Sequence, residues 1–209
     1  MSRRTHLADA AIATLAAHGM RGLTHRAVDR KAELPEGSTS YYFRTRLALL
    51  EAIVDRLAET TADELGDTPL GLDDLADVAA ARLYAWMTHD RERHLARYEI
   101  SLEAMRRPEL RAIFDASRAR IRGQVAAAFA EHGAADPAAH ASDFVACMDG
   151  LLFDVIVGGR TPVPEPDELR ETVRRLLAST FGPSVEVPTD APLFDRAPRY
   201  AGRDPNGEP

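Results

Sequence analysis

"GLTHRAVDRKAELPEGSTSYYFRTRLALLEAI", residues 22–53, decides how this 209-residue chain is read. Thr24 is a good N-cap, because its hydroxyl can accept a hydrogen bond from a free N–H of the next turn. Leu23 and Val28 flank it at the spacing of a hydrophobic staple, so a short helix is predicted over residues 24–32. Pro35 stops that helix and suits the start of another, predicted over 36–42. Thr45 then caps a long helix to about residue 65, with Leu50, Ile53, Val54, Leu57 and Leu65 on its apolar face. Upstream, residues 5–18 carry Leu7, Ala11, Ile12 and Leu15 on one face, and Gly19 offers a stop. Two short helices joined by a tight turn, with one helix before and a long one after, form a helix-turn-helix arrangement.

In that arrangement the second short helix enters the DNA major groove, leading with its N-terminal residues. The order of residue types from Gly37 to Arg46 suits this task. The groove is about 12 Å wide, so the leading turn must be slim, and Gly37, Ser38 and Ser40 permit close approach. Tyr41 and Tyr42 are stiff and amphipathic, able to reach a phosphate or a thymine methyl. Phe43 would turn inward against Leu15 and Val28 and fix the helix angle. Thr45 and Arg46 open the next helix, whose N-terminal N–H groups and dipole favour a phosphate, and Arg46 adds a planar fork. By spacing alone, the same stretch also suits a polar loop feeding a helix in an α-helical enzyme.

The residues quoted above resemble the DNA-binding region of the tetracycline-repressor (TetR-type) family: glycine-x-threonine, a second helix with Val and Ala inward, a turn, a glycine-led recognition helix ending in Phe, and a small-basic pair opening the fourth helix. The match is close over about 50 residues; the rest agrees in its run of helices. The resemblance implies phosphate contacts for Thr24, Tyr42 and Arg46. It places His25, Arg26, Glu36, Gly37, Ser38, Ser40 and Tyr41 at or near the groove. Three departures stand out. Glu33 occupies the turn position where the family usually has glycine. Pro35 replaces the usual N-cap serine of the recognition helix. Thr39-Ser40 replaces the usual leucine-tyrosine pair, leaving Tyr41 to take over an aromatic contact. Two readings of Glu36 stand: acceptor from a cytosine amine, or solvated complement to the helix dipole.

Net charge is −7, but it is unevenly spread. Residues 1–56 hold nine Lys/Arg against six Asp/Glu, a net of +3; the remainder holds 17 against 27, a net of −10. A cationic module on an acidic body is the pattern of a nucleic-acid partner. No run approaches about 18 apolar residues, so no membrane span is expected. Asp9 and His18 interrupt the N-terminal alanine-rich stretch, which therefore reads as a helix of a cytoplasmic protein and not as a signal peptide. The single cysteine, Cys147, excludes an internal disulfide and reads as a small buried hydrophobe.

Beyond "GDTPLG" at residues 66–71 the periodicity stays helical, with helices predicted over 72–89, 93–106, 108–132, 138–157 and 166–181. The chain is thus expected to be all-α: a DNA-binding unit over 1–46, a ligand-binding and dimerisation domain over 47–182, and a Pro-rich extended or disordered tail over 183–209. Palindromic half-sites one helical turn apart require a two-fold homodimer on double-stranded operator DNA. Its interface is expected from the last two helices, at Phe144, Met148, Leu151, Leu152, Val155, Val173, Leu176 and Leu177. The family's ligand cavity would be lined by Trp86, Met87, Tyr98, Met105, Phe114 and Met148, although aromatic and methionine stripes at helical spacing more often read as plain core. The small-molecule effector is then expected to be apolar or amphipathic, releasing a repressor; an activator, or a regulator answering to a protein partner or its own abundance, are the alternatives. His89 and His94 match no metal-ligand spacing. With no nucleophile–base pair, phosphate-binding glycine loop or metal motif, neither catalysis nor a cofactor is expected.

Overall fold

The computed structural model describes residues 2–65 and 72–181. The described residues form α1 (Arg3–Gly22), α2 (His25–Lys31), α3 (Ser38–Tyr42), α4 (Arg46–Leu65), α5 (Leu72–Thr88), α6 (Arg91–Ala104), α7 (Pro108–Glu131), α8 (Pro137–Ile156) and α9 (Pro166–Phe181), with no strand among them. The 66–71 break and the 183–209 tail lie outside the described residues.

Most of the helix starts follow from local chemistry. The Ser2 hydroxyl accepts from Thr5 N–H, Thr24 from Ala27 and Thr45 from Ala48; Asp136 accepts from Ala139. Proline opens α7, α8 and α9, where its missing N–H costs nothing. Gly19, at φ 63 and ψ −175, breaks α1 as expected, but one further turn runs to Gly22 before Leu23 leads into α2.

The turn between α2 and α3 ends α2 in a left-handed residue. Glu33 has φ 54, its N–H donates to Arg30 O, and Leu34 N–H donates to Asp29 O. These are the two bonds of a Schellman cap, formed here without the glycine that usually supplies it.

Two apolar clusters hold the chain together. The first joins Leu7, Leu15, Val28, Phe43, Leu50 and Ile53 to Ile100 of α6 and to Leu110 and Phe114 of α7. Phe43 is buried as expected, in one cluster with Leu15 and Val28, and the Arg4 guanidinium lies 4.8 Å over its ring. The helix-turn-helix unit therefore shares its core with α6 and α7. The second cluster joins Leu83 and Met87 of α5, Phe129 of α7, Phe144, Leu152 and Val155 of α8, and Leu169, Val173 and Leu177 of α9. Polar ties close the body: Arg170 pairs with Asp77 at 2.8 Å, Arg97 pairs with Asp149, and Arg91 donates to the last α8 carbonyls, Val155 and Ile156.

A left-handed non-glycine residue costs roughly 1–2 kcal/mol. Glu33→Gly is expected to raise stability by about 0.5–1 kcal/mol, after glycine's larger unfolded-state entropy is subtracted. Urea unfolding of the two proteins checks this.

Candidate nucleic-acid interface

α3 is only five residues long, and its N-cap Gly37, at φ 95, offers no side-chain cap. Pro35 cannot supply one either. The bonds come instead from α2. Asp29, 1% exposed, accepts from Gly37 N–H at 2.8 Å, Thr39 N–H at 2.7 Å and the Thr39 hydroxyl at 2.5 Å. Burial raises the carboxyl's pKa; those three bonds, with the nearby His25 charge, outweigh it and hold the pKa below 3.8. At the other end of α3, His25 Nε2 lies 2.7 Å from Phe43 O. Thus Asp29 fixes the start of α3 and His25 its end. The sequence reading missed Asp29; its signal was a recognition helix with no cap of its own facing an acid on the inner side of α2.

Thr39 is fully buried, while Ser40 and Tyr41 face outward. Gly37 and Ser40 are exposed, and Ser38 is half-buried with its hydroxyl donating to Pro35 O. Tyr41 is 77% exposed and packs edge-to-face on Tyr42, ring centroids 5.1 Å apart. Tyr42 is half-buried against the first cluster. Arg26 and Glu36 form an exposed pair at 3.9 Å beside this surface. Thr24 is exposed at the start of α2. Arg46 is exposed as well, but its guanidinium donates to the carbonyls of Leu23 and Met20, which ties the end of α1 to the start of α4. A phosphate contact would draw on its remaining N–H donors.

Residues 70–179 match the family model of the tetracyclin repressor-like C-terminal domain, about half of the chain. A TetR-family structure from Streptomyces coelicolor is 32% identical over 84% of this chain and 98% of that one, with a TM-score of 0.68. The multidrug binding protein EbrR complexed with ethidium is 32% identical over 84% of this chain and 98% of that one, at a TM-score of 0.64. Further EbrR structures hold imidazole, malachite green or proflavin. The chain belongs to the TetR family of transcriptional regulators. A Rhodococcus transcriptional regulator, 19% identical over 86% of this chain and 96% of that one, shares the fold at a TM-score of 0.72. No curated protein matches the chain in sequence. As a TetR-family regulator it is not an enzyme, and no cluster of metal-ligating side chains occurs among the described residues. No described helix is long and apolar enough to cross a membrane.

In this TetR-family chain all eight residues expected at the dimer interface lie in or against the second cluster. Phe144, Leu152, Val155, Val173 and Leu177 are buried there. Met148, Leu151 and Leu176 are half-buried against the same cluster. α8 carries apolar residues on both faces. Past its first turn, its exposed residues are Asp143, Ala146, Cys147, Gly150, Phe153 (46% exposed) and Asp154, and Val157 (47% exposed) caps its end. Cys147, expected to be buried, is exposed there.

The expected cavity residues are divided. Met87 is buried in the second cluster, with Trp86, Tyr98 and Met148 packed against it. Phe114 belongs to the first cluster, and Met105 is 72% exposed. Among the described residues, a cavity of about 560 Å³ lies between α1 and α2, and another of about 320 Å³ lies between α1, α4 and the α5–α6 corner; neither is lined by any of the six. His94 is 4% exposed, 4.9 Å from the Trp86 ring, with both ring nitrogens unpaired. Burial, reinforced by the Arg93 and Arg97 charges, pushes its pKa down to about 2.

Two acid sensitivities follow, in separate windows. His94 is neutral in the folded chain but protonates near pH 6.5 once unfolded. Folded stability is therefore lost as pH falls below that value, by about 1.4 kcal/mol per pH unit at most. His94→Gln is expected to flatten urea-unfolding stability between pH 7 and 5; an unchanged slope would contradict the assignment. The lowered Asp29 pKa contributes stability that is complete well above 3.8 and is lost as pH falls through the lower folded value. Asp29→Asn is expected to cost about 1–3 kcal/mol at pH 7, a gap that closes below pH 3.8.

Proposed function

We propose that this chain binds operator DNA as a two-fold homodimer and acts as a repressor that a small aromatic or amphipathic molecule releases. The observation that carries the DNA reading is the pose of α3. Its one fully buried residue, Thr39, is locked to Asp29, so the slim face of Gly37, Ser38 and Ser40 leads and Tyr41 projects. Each α3 enters a major groove, and two recognition helices about 34–36 Å apart read half-sites one turn apart. Ser40 and Tyr41 read base edges. Arg26 and His25 flank them from α2, with Glu36 at the turn. Thr24, Tyr42 and Arg46 address phosphates and set position.

The partner subunit packs on the outward face of α8. There Phe153 and Val157 supply exposed apolar surface, and a Cβ on Gly150 would meet nothing within the protomer. The small side chains of Ala146, Cys147 and Gly150 let a second α8 come close. The EbrR complexes support an aromatic effector, since ethidium, malachite green and proflavin are all aromatic cations. A second reading, regulation by a protein partner or by abundance, draws on the separation of Met105 and Phe114 from the other expected cavity residues.

Tyr41→Ala is expected to weaken operator binding about tenfold or more while leaving the thermal melt unchanged. Gel shifts with DNA selected from a random pool check this, with wild-type affinity falling steeply as salt rises. Unaltered affinity in the variant would remove Tyr41 from the interface. Phe153→Asp is expected to yield monomers in sedimentation velocity and to lose operator binding; a persistent dimer would place the interface elsewhere.

A further inference from the structure

Glu64 sits one residue before the end of α4, with its side chain only 11% exposed. Its Oε2 accepts from the Trp86 indole N–H and from Arg93 Nη2, each at 2.9 Å, and Arg93 Nη2 is 2.7 Å from Oε1. One carboxylate thus ties α4 to the end of α5 and the start of α6. Arg93 is nearly as buried, at 12%, yet its Nε and Nη1 are buried with no hydrogen-bond partner. Asp90 Oδ2 is likewise buried and unpartnered, 3.8 Å from Arg93 Nη2. Unmet buried donors beside an unmet acceptor are uncommon in folded proteins and ask for an explanation.

The 320 Å³ cavity lies against this knot. Asp9 of α1, Arg56 and Glu64 of α4, and Asp90, Glu92 and Arg93 at the α5–α6 corner contribute its charges. Four carboxylates face two guanidinium groups, so the wall favours a cation over an anion. The volume suits one small molecule.

We propose that this cavity, at the junction of the reading head and the body, binds an aromatic organic cation that takes Glu64 over from Arg93. The inference rests on the ligand-released repressor reading above and assigns the ligand's counter-ion and its lever. Exchanging one cation for another keeps the buried carboxylate compensated, which avoids the large penalty of an unpaired buried charge. The displaced Arg93 has Asp90 Oδ2 within reach. The wall includes Asp9, which Arg56 holds at 2.7 Å, so the ligand presses directly between α1 and α4. Both helices belong to the cluster that positions Phe43 and hence α3. A small opening of the cleft therefore changes the pose of the reading head.

The test uses the full-length dimer and ethidium, titrated by fluorescence without DNA. Glu64→Gln is expected to weaken ethidium binding about tenfold, because the counter-ion is gone. Arg93→Gln is expected to tighten it by about the same factor, because the resident competitor is gone. Loosening of the fold would shift both variants the same way, so the opposite signs are diagnostic. Should Glu64→Gln fail to fold, Arg93→Gln still decides: unchanged or weaker ethidium binding overturns the proposal, as does a wild type that binds no ethidium. Operator binding by the ligand-free wild type is measured separately. If it is intact while the ethidium results are flat, this site alone fails; if it is absent, the regulator reading beneath it fails.

Discussion

The fold's working end depends on one buried carboxylate. A five-residue helix with a glycine at its start has no stability of its own, because nucleating a helical turn fixes several dihedrals for a single hydrogen bond. Asp29 removes that difficulty from the neighbouring helix. It satisfies the N–H groups of Gly37 and Thr39, takes the Thr39 hydroxyl as well, and leaves Pro35 O to receive Ser38 N–H. Burying a charge is unfavourable unless it is fully hydrogen-bonded, and here three donors converge on it. The same lock sets which side of α3 is inside. With Thr39 turned in, the residues one and two places along, Ser40 and Tyr41, turn out, and Tyr41 becomes the most exposed large apolar side chain of the described residues. Phe43, buried at the far end with Arg4 over its ring, keeps α3 from rotating about the Asp29 anchor.

From that anchor the structure runs continuously into the body. Arg46 clips the end of α1 to the start of α4 through the Met20 and Leu23 carbonyls, and Arg56 clips α4 to α1 again through Asp9. α6 then packs into the same apolar cluster through Ala96, Ile100 and Ala104. A displacement at the start of α6 is thereby felt at α1, and so by the recognition helix, without a flexible joint between them. Arg93 and Glu64 stand at the point where such a displacement would begin.

Much of this was legible in the sequence because it is local. Thr24, Thr45, Pro108 and Pro166 announce helix starts through their own chemistry, and the structure starts the helices at or one residue after them. The Glu33 turn was legible as an oddity, a non-glycine at a position that takes positive φ, and the chain tolerates it. What the sequence could not display is pairing across helices. The Asp29–Thr39 lock spans ten residues and two elements, so neither residue looks exceptional on its own helix. α8 shows the opposite difficulty. Its two apolar stripes are equally periodic, and periodicity cannot say which meets the protomer's own core; Phe144, Leu152 and Val155 go inward while Phe153 and Val157 stay out. In the same way, a helical stripe identifies Phe114 and Met87 as core without revealing that they belong to different clusters.

Photo-cross-linking tests the central claim most directly. Operator DNA selected by the protein, carrying 5-bromouracil in place of thymine, would be irradiated in complex with the full-length chain and the attached peptide sequenced. The account expects attachment at Tyr41, diminished when Asp29→Asn releases the start of α3. Attachment confined to residues outside 24–46, in wild type and variant alike, would contradict it.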